Sequence, residues 1–252
     1  MSVVTRAREQ LRGLIRRTGF DVSRYPPHRP GYSLDTVLGA LFDRAGVSEV
    51  IDVGARHGEY GTYLRQIGYR GRITSFEPVS THLTSLRGRA AADGNWRVEP
   101  VALGRAAGTA DLHVAESSDF SSFRAANDAL AGQFPDGAKV ARVETVEVAR
   151  LADRFDALIP AGAAVLLKLD TQGWDLEVLA GAEGRLDRVT AIQSEVAIRP
   201  LYEGAPDYLE SLTWLGARGF VPAGLFPVSY REDSGGMDPL VVLEADCVFT
   251  RR

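Results

Sequence analysis

The 252-residue sequence has only one cysteine, Cys247, and no apolar run approaching the roughly 20 residues that span a bilayer. A single cysteine excludes an internal disulfide and a cysteine-based zinc site. It is typical of a reducing compartment, so we expect a cytoplasmic protein. The four histidines are scattered, without the i, i+4 spacing of a helical metal site. These absences exclude a disulfide scaffold, a zinc finger and a membrane span.

Basic residues are not in excess, because 29 lysines and arginines face 33 acidic residues and the net charge is −4. A nucleic-acid-binding protein would show a basic domain, and a base-flipping enzyme would show an N/D-P-P-Y/F motif. Neither is present, so we expect no nucleic-acid partner. Only Lys139 and Lys168 are lysines, and every other basic side chain is an arginine. A lysine at a motif position is therefore easy to notice.

The N-terminal residues 1–18 predict an amphipathic helix whose polar positions are largely arginines. A proline-rich linker follows at residues 25–31, and we expect residues 1–47 to form a helical extension. The first 20 residues lack the continuous apolar core and the cleavage site of a secretory signal. Such a helix could contact a membrane surface peripherally, or pack on the domain or on a second subunit of a homodimer. These alternatives stay open.

Strands and helices alternate over residues 48–252, which predicts one α/β domain with a doubly wound, mostly parallel sheet. A helix at 35–44, capped by Ser33, leads into the first strand. The predicted strands lie at 49–53, 72–76, 97–103, 163–169, 189–196 and 240–250. The predicted helices between them lie at 60–67, 80–92, 174–186 and 206–217.

An insertion at about residues 105–150 interrupts this alternation. Residues 109–114 and 142–148 alternate as the two strands of a β-hairpin would, and a serine-rich loop at 117–123 continues as a mobile stretch to Gly137. An insertion of this length is usually a lid or a substrate-contacting element. The alternative is a disordered surface excursion.

The loop after the first strand, from Gly54 to Gly58 and called the glycine loop below, predicts a ligand site. Glycines let the backbone approach a ligand closely. The spacing is not the G-x-G-x-x-G of a dinucleotide site, and Asp52 precedes the loop. Glu77 ends the second strand, where a carboxylate can accept the hydroxyls of a ribose. This combination favours S-adenosylmethionine over NAD, with Tyr60 as a nearby aromatic ring.

Charged residues end the fourth and fifth strands, at the edge of the sheet where ligands bind in open α/β folds. Strand alternation places Lys168 and Asp170 on one face, and Glu195 lies at the same edge. Two acids at one site either divide acid and base duties or hold a divalent ion. The simpler interpretations are a Lys168–Asp170 ion pair and a Glu195–Arg199 ion pair.

Taken in order, these segments resemble the FkbM family of S-adenosylmethionine-dependent methyltransferases over about residues 48–250. The family's usual K-x-D-x-E-G-x-E pattern has Gln172 and Asp175 here at two of its acidic positions. The matching segments are V-I-D-V-G-A at 50–55, G-E-Y at 58–60, F-E-P at 76–78, V-A-L-G at 101–104, K-L-D-T-Q-G at 168–173, V-L-A-G-A at 178–182 and Glu195.

The resemblance implies a Rossmann-like class I methyltransferase fold whose mostly parallel sheet has one antiparallel strand. It also implies O-methylation of a hydroxyl on a sugar, a glycolipid or polysaccharide, or a natural-product acceptor. The expected cofactor-binding residues are Asp52, Gly54, Ala55, Gly58, Tyr60, Glu77, Pro78, Ala102, Lys168 and Asp170.

For catalysis we expect Asp170 and Glu195 to take the hydroxyl proton and Lys168 to orient Asp170, with His82 and His113 as alternative bases. A divalent metal stays open, with Asp170 and Glu195 as its ligands if one binds. Two alternative functions also stay open. One is a non-catalytic module that binds an adenosyl ligand, and the other is methylation of a different small-molecule nucleophile.

Overall fold

The structure, a computed structural model, describes residues 33–233 and 236–251. The helix expected at residues 1–18 and the linker at 25–31 lie outside these residues. None of the helices in the two described ranges is long and apolar enough to cross a membrane.

Helices and strands alternate along the described chain, and two 3-10 turns lie at Ser118–Phe120 and Leu186–Arg188. The helices are α1 (Leu34–Asp43), α2 (Glu59–Gln66), α3 (Leu83–Asp93), α4 (Asp128–Gln133), α5 (Leu151–Leu158), α6 (Asp175–Gly181) and α7 (Tyr208–Gly216). The strands are β1 (Val47–Val53), β2 (Arg72–Phe76), β3 (Trp96–Glu99), β4 (Ala102–Leu103), β5 (Gly108–Ala115), β6 (Val140–Ala149), β7 (Ala164–Leu169), β8 (Val189–Ala197), β9 (Phe220–Asp233) and β10 (Gly236–Arg251).

The main sheet has the strand order β3-β2-β1-β7-β8-β10-β9. β10 runs antiparallel to both of its neighbours, and the remaining pairs are parallel. The doubly wound, mostly parallel sheet with one antiparallel strand is therefore confirmed. β1 and β7 lie at its centre, so the loops that follow them open at a switch point of the sheet.

Two predictions about strands were wrong. The segment at 97–103 is not one strand, because β3 ends at Glu99 and β4 joins a second sheet. Pro100, which has no backbone N–H, lies between them. The sequence also predicted no strand between the helix at 206–217 and residue 240, whereas β9 begins at Phe220. Pro222 and Pro227 argued against a strand in this segment, because proline has no backbone N–H to donate. Both are tolerated because β9 is an edge strand, and it pairs with β10 through register shifts.

The insertion forms the predicted hairpin, with β5 antiparallel to β6, and β4 extends it to a small sheet. The stretch expected to be mobile contains α4. Asn127 caps this helix, because its side chain accepts hydrogen bonds from the backbone N–H groups of Ala129 and Leu130 at 2.9 and 3.1 Å. The Leu130 side chain is fully buried. The segment is therefore packed, with a small core of its own.

Apolar residues pack on both faces of the main sheet, because successive residues of β1 point to opposite faces. Ile51 enters a core closed by α5, α6 and α7, and Val50 enters one closed by α1, α2 and α3. α1 begins as predicted, since the Ser33 hydroxyl oxygen accepts a hydrogen bond from the backbone N–H of Thr36 at 3.3 Å. The boundary proposed at residues 47 and 48 stays a prediction.

Candidate active site

A cavity of about 330 Å³ opens at the carboxyl ends of β1, β2, β7 and β8, where an open α/β sheet binds its ligands. Part of its wall comes from the insertion. We call its two halves the Glu77 end and the Glu195 end. The Glu77 end is lined by Gly54, Arg56, Glu77, Pro78, Val79, His82 and Ala102. The Glu195 end is lined by Phe120, Phe134, Asp170, Gln172, Trp174, Glu195, Val228 and Glu244.

The two glycines of the glycine loop have different surroundings. Gly54 has a φ of +80°, and a Cβ there would collide with the backbone carbonyl of Asp170. Only glycine therefore lets β1 and β7 end side by side at the cavity floor. Gly58, with a φ of +91°, faces Leu86 and Trp96 instead, and a Cβ would lie 3.0 and 3.1 Å from their side chains. Gly54 lines the cavity, whereas Gly58 and the buried Ala55 are not among its lining residues.

Glu77 is buried, and backbone amides bind its carboxylate. Oε2 accepts from the N–H of Arg56 at 2.7 Å and Oε1 from the N–H of Val79 at 2.8 Å. The Nδ1 atom of His82 lies 3.2 Å from Oε1. An ionised carboxylate has about four acceptor sites, so about one remains for a ligand hydroxyl. Pro78 and Ala102 add apolar wall beside it.

Asp52 and Lys168 are buried beneath the cavity floor, Tyr60 is partly buried there, and none of the three is among the lining residues. The Lys168 ammonium lies 2.9 Å from Oδ2 of Asp170, 4.0 Å from Oδ1 of Asp52 and 5.0 Å from the centre of the Tyr60 ring. The Tyr60 hydroxyl donates to Gln193 at 2.7 Å. Burial alone would lower the Lys168 pKa, but Asp170 and Asp52 raise it above its usual value. Lys168 therefore stays charged.

Gln172 links the two acids that the sequence singled out. Its side-chain nitrogen donates to Oδ1 of Asp170 at 3.0 Å and to Oε2 of Glu195 at 2.9 Å. Its side-chain oxygen accepts from the Tyr202 hydroxyl at 2.7 Å, which fixes the orientation of the amide. The backbone of Gln172 has a φ of +52°, uncommon for a residue with a side chain. The sequence analysis assigned this glutamine no role.

The loop between β7 and α6 is fixed from below by Asp175, a buried carboxylate. Its Oδ1 accepts from the backbone N–H of Thr171 at 3.0 Å, and its Oδ2 accepts from the Ser194 hydroxyl at 2.6 Å. These bonds tie the loop to β8. The side chains of Asp170 and Gln172 are thereby held at the cavity.

The two linked acids differ in basicity. Burial would raise the Asp170 pKa, but the Lys168 ammonium and hydrogen bonds from Lys168 and Gln172 hold it below the usual value. Burial raises the pKa of Glu195 well above its usual range, and the charges of Asp170 and Glu244 raise it further. Asp170 is therefore a fixed anion, whereas Glu195 is the more basic of the two carboxylates and binds a proton more readily.

Glu244 of β10 also lines the Glu195 end, although the sequence analysis missed it. In the antiparallel register Asp246 lies opposite Glu195 and Glu244 opposite Ala197, so Glu244 lies two residues further along the same face. Burial raises its pKa to about 7, and Asp170 and Asp175 contribute. It lies inside the strand predicted at 240–250, but only the strand order places it beside β8.

The insertion is tied to the strand ends at both halves of the cavity. The Arg56 guanidinium donates to the Ser118 hydroxyl at 3.0 Å and forms an ion pair with Asp119. On the other side the Ser122 hydroxyl donates to the Gln172 carbonyl at 2.7 Å. Arg124 donates to the Gly173 carbonyl at 2.9 Å. These bonds hold the segment that carries Phe120 in the cavity wall, and the Phe134 ring stacks on Phe120 there.

The expected alternative bases and metal ligands differ in position. His82 lines the cavity but contacts Glu77, whereas His113 is not among the lining residues. In the residues 33–233 and 236–251, no group of three or more histidine, cysteine or acidic side chains is arranged to hold a metal ion. Asp170 and Glu195 come together through the Gln172 amide.

Comparison with known proteins adds a family to this geometry. The family described as methyltransferase FkbM domain matches residues 52–222, and no curated protein matches the chain. A similar solved structure is methyltransferase FkbM from Methylobacillus flagellatus KT, at 15% identity over 84% of this chain and 47% of that one, with a TM-score of 0.49. The chain thus spans about half of its length.

Two further structures are similar at lower identity. An rRNA methylase from Streptococcus thermophilus is 12% identical over 88% of this chain and 96% of its own, with a TM-score of 0.43. TehB from Haemophilus influenzae is 11% identical over 89% of this chain and 64% of its own, with a TM-score of 0.46.

The family match covers more than half of the sequence and nearly all of the cavity. It begins at Asp52 beneath the floor, includes Glu77, the insertion and Asp170, and ends at Pro222, beyond Glu195. The resemblance read from the sequence motifs is therefore confirmed. The chain belongs to the FkbM family of S-adenosylmethionine-dependent methyltransferases.

Proposed function

We propose that this methyltransferase transfers a methyl group to a hydroxyl of a sugar, of a glycolipid or polysaccharide, or of a natural-product acceptor. The observation that carries the proposal is that the two ends of one cavity are lined by different kinds of side chain. At one end Glu77 has about one acceptor site left for a ribose hydroxyl. At the other end acidic side chains lie among aromatic rings.

The Glu77 end fits the adenosyl part of S-adenosylmethionine. Gly54 lets β1 and β7 end side by side at the cavity floor, Glu77 can accept a ribose hydroxyl, and Pro78 and Ala102 offer apolar walls. Five further residues lie outside the cavity lining and hold the glycine loop and Asp170 in place, namely Asp52, Ala55, Gly58, Tyr60 and Lys168. When bound, the cofactor supplies an activated methyl group on a sulfonium.

At the Glu195 end we assign the proton to Glu195. Its Oε2 is held by Gln172, and its carboxylate would accept the hydroxyl proton as the methyl group moves from the sulfonium sulfur, whose bond to carbon breaks, to the acceptor oxygen. Asp170, fixed by Lys168 and Gln172, contributes a negative charge near the reacting groups. The other residues that line the cavity align the acceptor hydroxyl with the methyl group.

Several observations support a small polyhydroxylated acceptor over the alternatives. Carboxylates can accept several hydroxyl groups, and the rings of Phe120, Phe134 and Trp174 can cover the apolar face of a sugar. The net charge of −4 does not favour nucleic acid. The single cysteine supports a cytoplasmic location. Two alternatives remain outcomes of the test, a different nucleophile and a binding module without transfer.

The test is transfer from labelled S-adenosylmethionine by the purified protein to sugar and glycolipid acceptors. We expect label in a hydroxyl ether, lost in Glu195→Gln and retained in Glu203→Gln, which removes an exposed charge outside the cavity lining. Label on nitrogen or sulfur would contradict the hydroxyl assignment. Tight cofactor binding without transfer to any acceptor would favour the non-catalytic module.

A further inference from the structure

The cationic side chains at the cavity are already paired. Arg56, on the wall, forms an ion pair with Asp119 and donates to Ser118. Lys168, beneath the floor, lies 2.9 Å from Asp170. Neither cation is therefore left to neutralise a further carboxylate.

The Glu195 end nevertheless holds two more carboxyl groups. Glu195 accepts from the neutral amide of Gln172 and has no ion pair with a residue that the structure describes. The Glu244 carboxyl has neither a hydrogen bond nor an ion pair within the same ranges, although only 8% of the residue is exposed. A carboxyl that is buried and unpaired costs free energy, so such a group in a cavity wall points to a ligand.

The surroundings of Glu244 favour a cationic ligand. Its raised pKa, about 7, reflects burial and the nearby charges of Asp170 and Asp175, which a positive charge would offset. Phe120 and Phe134 stack with their centres 4.9 Å apart in the same wall. The faces of aromatic rings attract cations. Carboxylates and aromatic faces together form a common recognition site for an ammonium group.

We propose that the acceptor carries a protonated amino group, as an amino sugar does, and that Glu244 binds this ammonium beside Glu195. The inference rests on the proposed function and narrows it from sugars in general to amino-bearing sugars. Glu195 remains the group that takes the hydroxyl proton. Glu244 instead selects and orients the acceptor by its charge.

The cofactor also contains an amino group, so the source of the ammonium must be separated. Glu77 follows β2 and Glu244 lies on β10, four strand spacings away, which is about 19 Å across the sheet. This separation favours the acceptor as the partner of Glu244. The experiment therefore measures cofactor and acceptor affinity independently.

Binding is measured by calorimetry, first for S-adenosylhomocysteine alone and then, on protein saturated with it, for methyl glucosaminide, its N-acetyl derivative and methyl glucoside. In the wild type we expect the glucosaminide to bind about 10- to 100-fold more tightly than either neutral sugar, as a buried charge-assisted pair would require. Glu244→Gln should abolish this preference and leave S-adenosylhomocysteine affinity unchanged. Glu203→Gln is the matched control, with the same charge change in an exposed loop.

Equal binding of the three sugars, absence of binding by the glucosaminide, or a preference that survives Glu244→Gln would overturn the inference. A loss of S-adenosylhomocysteine affinity in Glu244→Gln would assign the carboxyl to the cofactor and also overturn it. Methyl transfer is assayed on the same sugars. Transfer to neutral sugars without a preference for the glucosaminide would support the proposed function and contradict the inference about Glu244. A Glu244-dependent preference in binding without any transfer would support the inference about Glu244 and contradict the proposed function.

Discussion

The two ends of the cavity treat buried carboxylates in opposite ways. Glu77 is 3% exposed and receives two backbone N–H groups, whereas Glu244 is 8% exposed and receives no hydrogen bond in the described part of the chain. Similar burial therefore has different consequences. At the Glu77 end the backbone stabilises the charge before a ligand arrives. At the Glu195 end Lys168 and Gln172 stabilise Asp170, but for Glu244 we infer that a ligand provides the stabilisation.

The difference follows from how each end is built. The Glu77 end uses the turns after β1 and β2, where loop backbone is free to donate to a carboxylate. Glu244 projects from inside β10, whose backbone N–H and C=O groups already pair with β8 and β9. A strand interior therefore has no spare donor for its own side chain. The lining residues Val228 and Ser229 of β9 make no hydrogen bond to the Glu244 carboxyl either.

The largest expected effect is on turnover at the Glu195 end. Glu195→Gln keeps the size of the side chain and removes its basicity, so the transfer rate should fall about 10²- to 10⁴-fold. S-adenosylhomocysteine affinity should change little. A single-turnover assay and calorimetry on one preparation measure both. EDTA is the control for the metal alternative, because activity lost on chelation would assign Asp170 and Glu195 to an ion.

The next effect is a pH-dependent change in stability at Glu244. Its folded-state pKa is about 7, above the ordinary value of 4.5, so the folded wild type loses stability as pH rises from about 4.5 to about 7. Glu244→Gln does not ionise. Its free energy of unfolding relative to wild type should therefore increase by about 2–3 kcal/mol across that window and stay level above it. Any effect of the amide on packing is the same at both pH values. It therefore cancels when the relative free energy of unfolding at pH 4.5 is subtracted from that at pH 8.

Urea unfolding of the two proteins at several pH values checks this. Glu195 also has a raised pKa and is near enough to interact, so the double variant Glu195→Gln with Glu244→Gln should show the larger change. A constant difference between wild type and Glu244→Gln at every pH would mean that folding leaves the Glu244 pKa unchanged, so that its charge is already stabilised in the folded protein. The contrast between the two ends of the cavity would then disappear.

The sequence predicted the Glu77 end better than the Glu195 end for a physical reason. Glu77 follows a strand with clear local signals, and strand 72–76 was predicted with its observed bounds. Glu244 reaches the cavity only because β10 runs antiparallel to β8, a pairing between segments far apart in sequence. Gln172 was singled out only as a departure from the family pattern. Its linking role depends on a φ of +52° and on the Tyr202 hydroxyl, neither of which the sequence reveals.

The fold itself followed from periodicity except where proline intervened. The central strands were predicted because apolar runs with flanking helices leave few alternatives. Pro100 separates β3 from β4, and Pro222 and Pro227 lie within β9, where the edge position tolerates them. The insertion was located correctly, but Asn127 and Leu130 organise a small helix in the stretch that composition had made a mobile loop.

A smaller effect is expected at the Glu77 end. Glu77→Ala removes the acceptor for a ribose hydroxyl and should weaken S-adenosylhomocysteine binding by about 1–3 kcal/mol. It also leaves the N–H groups of Arg56 and Val79 without their partner, so the melting temperature should fall. Glu77→Gln keeps one acceptor oxygen, so its S-adenosylhomocysteine affinity and its melting temperature should lie between those of the wild type and those of Glu77→Ala. Unchanged affinity in Glu77→Ala would contradict the ribose assignment, and preferential NADH binding would contradict the cofactor class.

The smallest effect concerns the contact that joins the Glu77 end to the insertion. Arg56 donates its backbone N–H to Glu77 and pairs its guanidinium with Asp119, whose side chain is 53% exposed. An exposed pair of this kind is worth about 0–1 kcal/mol, so Asp119→Asn should raise amide hydrogen exchange in residues 117–123 by at most about fivefold. High salt should bring the wild type towards the variant, because it screens the same charge pair.

The control segment is α4, which packs on Leu201 and Tyr202 rather than on Arg56. Its exchange should therefore not change in Asp119→Asn. Exchange that rises equally in α4 and in residues 117–123 would mean that the insertion opens as one unit. Unaltered exchange in both would mean that the bonds from Ser122 to Gln172 and from Arg124 to Gly173 hold the segment without the ion pair. The predicted result is faster amide exchange in residues 117–123 alone, because the ion pair holds that segment whereas apolar packing holds α4.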